Sequence, residues 1–160
     1  MKKRFAIWTA LIALASIATA ASFNIPMKRI YSDADNAKSL GISVQEYKIV
    51  WKMGCQLSSD IRHHRPISDT DVEHLLSVAR QSGKLANQVM WMLYPLRETS
   101  YKSQVIDIAH ISSQSKEENE VFTALELLKH YDDPRWQSLA EAYPWQCKEY
   151  RELIMEPRRY

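Results

Sequence analysis

The sequence predicts an all-α protein, a short α-solenoid or helical bundle of about six to seven helices behind a cleaved leader. Three observations carry this. Apolar residues recur at three- and four-residue spacing between capping residues. No alternating strand or hairpin dipeptide occurs, and the only glycines are Gly41, Gly54 and Gly83, which leaves an all-β design short of turn residues. Finally, one helical segment recurs in approximate form 32 residues later.

The elements follow in order. Residues 22–40 are polar and weakly patterned, so residues 21–40 are expected to be a flexible arm with at most a short helix. The helical domain is expected over residues 41–160. Ser43 and Glu46 make a capping-box pattern, Ile42 can staple onto Tyr47, and Tyr47, Val50, Trp51 and Cys55 follow at helical spacing. Pro66 requires that helix to end near residues 62–64. A second helix is expected over residues 69–82, capped by Thr70 with Glu73 and stopped at Gly83. Residues 85–94 form the next, ended by Pro95, and residues 100–111 the one after. Ser115 and Glu118 cap a long helix over residues 116–130. Asp133-Pro134 supplies an N-cap and a first-turn proline for a helix carrying Trp136, Leu139, Ala140 and Tyr143. Cys147, Tyr150 and Ile154 are spaced for burial on a last helix.

The N-terminus has the form of an export signal. Met1-Lys2-Lys3-Arg4 is cationic, residues 5–18 are uncharged and apolar, and Ala18-Thr19-Ala20 offers the small residues a signal peptidase accepts. The expectation is a signal peptide over residues 1–20, a periplasmic or secreted product and no stable membrane span after cleavage. Removing Lys2, Lys3 and Arg4 from the 21 basic residues leaves 18 against 19 acidic ones. A near-neutral chain lacks the positive field of a nucleic-acid binder, so that class is set aside. Cys55 and Cys147 are the only cysteines. In an oxidising compartment they are expected to form a disulfide, and closing a loop of roughly 90 residues contributes about 4–5 kcal/mol in the chain-entropy model.

The recurrence pairs Asn87 with Asn119, Val89 with Val121, Leu93 with Leu125 and Leu96 with Leu128, each 32 apart. The helices between them echo one another as well: Leu75-Leu76-Ser77-Val78-Ala79, Val105-Ile106-Asp107-Ile108-Ala109 and Ser138-Leu139-Ala140-Glu141-Ala142. A period near 32 with two helices per unit marks an α-solenoid; similar amphipathic helices in an irregular bundle would also share Leu and Ala. The pattern Val-x3-Leu-x2-Leu, then an Asp-Pro turn, then Trp-x2-Leu-Ala, resembles HEAT-like helical repeats over residues 71–143. That resemblance implies a binding scaffold and no catalytic residue.

In such a stack, one helix of each pair leaves an outer face free. Val89, Leu93 and Leu96 point one way, Asn87, Trp91 and Tyr94 the other; the matching outward set is Asn119, Thr123, Glu126 and His130. These seven residues are the candidate contacts to a protein or envelope polymer, with Trp91 and Tyr94 as anchors. The competing expectation is that the helix with Tyr47 and Trp51 folds over this face, and a third is that it packs against a second copy.

No recognisable catalytic motif, metal site or cofactor fingerprint occurs. Arg62-His63-His64-Arg65 has adjacent histidines that diverge by about 100° on a helix and suits a cationic helix end. Asp69-Thr70-Asp71 lacks the turn glycine and distant Glu of a calcium loop. Glu117, Glu118 and Glu120 are expected to complement a helix dipole. The alternative function is a small envelope glycan hydrolase using two of Glu141, Glu149 and Glu152 as its carboxylate pair.

Overall fold

The structure is a computed structural model that describes residues 32–156. The expected leader, residues 1–20, and residues 21–31 of the expected arm lie outside the described residues. Among the described residues there are eight α-helices and no strand. No helix among them is long and apolar enough to cross a membrane.

Helix α1 (Asp33–Leu40) forms in the last part of the stretch expected to be an arm. It is ordered by contact rather than by pattern: Ala37 is buried against α2 (Val44–Arg62), and Asn36 Nδ2 donates to Tyr47 Oη at 3.1 Å. Gly41, at φ 73°, takes the left-handed position after α1, and the N–H of Ile42 reaches the carbonyl of Ala37. The expected cap of α2 is present, with Ser43 Oγ accepting from Glu46 N at 3.1 Å. The same reversal ends α2, where His64 stands at φ 52° and Arg65 N donates to Asp60 O at 2.8 Å. Arg65 Nε pairs with the buried Asp60 at 2.8 Å, so the Arg-His-His-Arg run serves the helix end.

Helix α3 (Asp69–Ala79) starts earlier in register than Thr70 implies. Ser68 is the N-cap and accepts from Asp71 N at 3.3 Å, because Ser68 rather than Thr70 retains extended backbone. Gly83, at φ 108°, precedes α4 (Lys84–Met92) as its N-cap rather than closing α3. Pro95 turns the chain into a 3₁₀ segment, Tyr94–Glu98, which leads to α5 (Lys102–Ser112). Helix α6 (Glu118–His130) begins later than its expected Ser115 cap. Ser115 Oγ instead accepts from Glu117 N and donates to Glu120. After α6, Asp132 at φ 55° lets Asp133 N reach Leu128 O, and Asp133 Oδ1 then accepts from Arg135 N to start α7 (Arg135–Ala142). The last helix is α8 (Lys148–Met155).

Contacts run mainly between close neighbours in the chain. Helices α1–α2, α2–α3, α3–α4, α5–α6, α6–α7 and α7–α8 touch, as do the second-neighbour pairs α2–α4, α3–α5, α4–α6 and α6–α8. The 3₁₀ segment joins α4 to α5 and touches both. Val89, Leu93, Leu96, Val121, Leu125 and Leu128, the residues paired at an offset of 32, are all 0% exposed. At α2, Gly54 permits close approach to α4: a Cβ there would sit 2.5 Å from Met92 Sδ.

The expected disulfide is not formed. Cys55 is exposed on α2 and Cys147 is the N-cap of α8. Helix α2 packs on α1, α3 and α4, whereas α8 packs on α6 and α7, so the two cysteines belong to different ends of the helix succession. The Cys147 thiol lies 3.4 Å from Glu149 Oε2.

Candidate functional site: an aromatic column across α4, the 3₁₀ segment and α6

The seven predicted contact residues divide into three groups. Trp91, Tyr94 and His130 come together as a column of rings. Trp91 and Tyr94 stack at 5.1 Å between centroids, and Tyr94 stacks on His130 at 4.4 Å. All three are half-buried. His130 Nε2 donates to the Tyr94 carbonyl at 3.1 Å, which fixes the tautomer and aligns the ring under Tyr94. Tyr131, next along, meets His130 edge-on at 5.6 Å and sends its hydroxyl to the carbonyl of Leu93 at 2.7 Å. The sequence pattern had put Trp91 and Tyr94 on one row and His130 on the next, and α4 and α6 do pack side by side.

Asn87 stands one helical turn before Trp91. Its Oδ1 is buried and has no hydrogen-bond partner among the described residues, an acceptor left over from the packing of α4.

Asn119, Thr123 and Glu126 do not extend the column. Asn119 Oδ1 accepts from the hydroxyl of Tyr150 on α8 at 2.5 Å. Thr123 is 2% exposed and donates back to the Asn119 carbonyl at 3.0 Å, so the expectation that it points outward is corrected. The reason is the crowding of α6, which touches α4, α5, α7, α8 and the 3₁₀ segment and has few positions left to expose. Glu126 is half-buried with Lys129 Nζ 3.9 Å away.

The helix carrying Tyr47 and Trp51 does pack on α4, and Trp91 is half-buried. Tyr47 and Trp51 stack on each other at 6.0 Å.

Sequence reasoning missed several side chains that shape this part of the molecule. Phe122 stacks on Tyr150 at 4.7 Å and fixes α8 beside α6. Lys129 is 8% exposed; its ammonium donates to the carbonyls of Ile154 and Glu156, each at 2.7 Å, and sits 5.0 Å above the Trp136 ring. Glu118 accepts from Gln146 N and Cys147 N, and Glu120 from Gly83 N, so two acids read as dipole partners of their own helix also hold the starts of two others. A capping motif reports only its own helix, so these longer reaches left no local signal.

The carboxylates of the alternative function stand in open surroundings. Glu141 is exposed and accepts from Gln137 at 3.1 Å. Glu149 is exposed, and its own backbone N–H together with the Cys147 thiol holds its carboxyl below the usual range, opposite to what a general acid needs. Comparison with protein families, with characterised proteins and with solved structures finds no match.

Proposed function

We propose that the chain is an exported stack of helical hairpins, similar in plan to HEAT-like repeats, that binds another protein or an envelope polymer through the face bearing Trp91, Tyr94 and His130. Support for the stacked plan comes from spacing: α3, α5 and α7 begin at residues 69, 102 and 135, two steps of 33. The second-neighbour contacts α2–α4, α4–α6 and α6–α8 are those a succession of hairpins makes. Export is supported by the cationic, apolar and small-residue order of residues 1–20.

The observation that carries the binding reading is the aromatic column. Three rings, one each from α4, the 3₁₀ segment and α6, stack half-buried at the edge of the apolar interior, with an unsatisfied amide oxygen one turn away. Rigid aromatic side chains give contact area at small entropic cost and are enriched at binding hot spots. The test combines Trp91→Ala with Tyr94→Ala. The double variant should retain its helical circular dichroism and lose capture of the partner from envelope extracts; full capture would overturn the assignment. Sedimentation at several concentrations separates a monomeric binder from a subunit that packs on its own copy.

A further inference from the structure

We propose that a second site, the groove between α2 and α3, docks a peptide segment with an aliphatic anchor beside a basic residue. The groove has a volume of about 390 Å³ and is lined by Ser43, Gln45, Glu46, Ile49 and Val50 from the start of α2, and by His74, Val78, Gln81 and Leu85. That volume lies within the range of small binding sites. None of these residues belongs to the aromatic column.

Three features select the occupant. The first is apolar surface left open. Val44 and Ile49 are 40% and 42% exposed, two of three large apolar side chains so exposed among the described residues, and both stand on the first turns of α2. Ile49 forms a wall of the groove, over a floor of buried Val50 and Val78 with half-buried Leu85. An aliphatic side chain placed there covers surface that α2 and α3 leave uncovered.

The second feature is the rim. Gln45 and Gln81 each carry an amide with donors and acceptors, matched to the N–H and C=O groups of a main chain. A lipid tail would strand these groups. A sugar ring would find no Trp, Tyr or Phe in the lining to stack on. The third is charge. The lining holds no Lys or Arg, and beside His74 its one carboxylate, Glu46, is the group that can pair with a cationic side chain.

The experiment titrates the purified, isotopically labelled chain with three probes: acetyl-Lys-Leu-Lys-Leu-Lys-amide, its Glu-for-Lys counterpart, and an N-acetylglucosamine oligomer. Amide shifts induced by the basic peptide should cluster on Ile49, Val50, Val78 and Leu85, with affinity about tenfold above that of the acidic peptide. Glu46→Lys should reverse that preference, and Ile49→Asp should remove binding while circular dichroism stays unchanged. Trp91→Ala should leave the titration as it was, which keeps this site apart from the aromatic column. Scattered shifts, equal affinity for the two peptides, tighter binding of the oligosaccharide, or loss through Trp91→Ala would each overturn the proposal. So would self-association that buries Ile49 in the absence of any peptide.

Discussion

The joint between α4 and α6 and the C-terminal pair α7–α8 are held by different physics. At the joint, Val89, Met90, Leu93, Leu96, Val121, Leu125 and Leu128 are at most 1% exposed, and dense apolar packing does the holding. The C-terminal pair has two helices of eight residues each, with Ala140 and Ile154 as their only buried residues. Around these, Trp136, Leu139, Tyr143, Trp145 and Met155 pack half-buried against the core, Phe122 stacks on Tyr150, and point contacts add to this: Lys129 on the carbonyls of Ile154 and Glu156, Glu118 on the N–H groups of Gln146 and Cys147, Tyr150 on Asn119, and Trp145 Nε1 on the carbonyl of Ala140 at 2.8 Å. Burial over a wide area makes one cooperative unit, whereas a few directional bonds make an end that can open alone.

The largest expected effect is at the joint. Leu125→Ala should destabilise the whole chain by about 3 kcal/mol, read as a lower urea midpoint. A loss below about 1 kcal/mol would break the contrast, since a site that collapses so cheaply is not the packed centre. Next comes the end. Lys129→Met keeps the length of the side chain and removes two charge-assisted hydrogen bonds, for a loss of about 2 kcal/mol. Amide exchange should quicken in α8 while α4 and α6 stay protected; equal acceleration everywhere would merge the two regions into one.

Two smaller effects sharpen the comparison through pH. Tyr131→Phe removes the hydroxyl that reaches the Leu93 carbonyl and should cost about 1 kcal/mol. Burial pushes the Tyr131 phenol above its usual range. Its folded value is thus raised, so its contribution is complete below the ordinary phenol value of about 10 and is lost as pH rises beyond it. The Phe variant should therefore show a flatter fall of Tm on the alkaline side. Asp133→Asn is the smallest, about 1 kcal/mol: Asp133 is buried, but Arg135 is exposed and Asn keeps an oxygen to accept from Arg135 N. The Arg135 guanidinium beside Asp133, bonded at 2.9 and 2.7 Å, holds its carboxyl below the usual range. That stability is present above the ordinary carboxylate value near about 4 and lost as pH falls through the folded value, so the Asn variant should lose the corresponding acid limb in Tm.

The same contrast explains how much the sequence revealed. The apolar pairs at an offset of 32 mark buried positions because period and burial are both local properties of a helix. The meeting of Trp91 and His130 followed from putting those two helices side by side, although Tyr94 between them opens the 3₁₀ segment instead of ending α4. Thr123 was misread because its burial depends on how many elements surround α6, a count that one helix does not encode. Helix α1, allowed by the sequence only as a short helix within an arm, could not be placed for a related reason: its eight residues have little pattern, and contact with Tyr47 orders them. The groove draws side chains from three helices and follows no spacing rule at all. Cys55 and Cys147 had suggested a bridge by number and compartment, but partnership depends on where α2 and α8 end up.

Gly54 carries a consequence for how the first helices could be handled as a separate part. The distance between α2 and α4 rests there on a missing side chain, with Met92 filling the space. A bulky residue introduced at this point would displace the Met92 side chain and, with Met92 Cβ only 3.3 Å away, press α2 away from α4. The hydrogen that Gly54 carries in place of a side chain thus sets how near the two helices can stand.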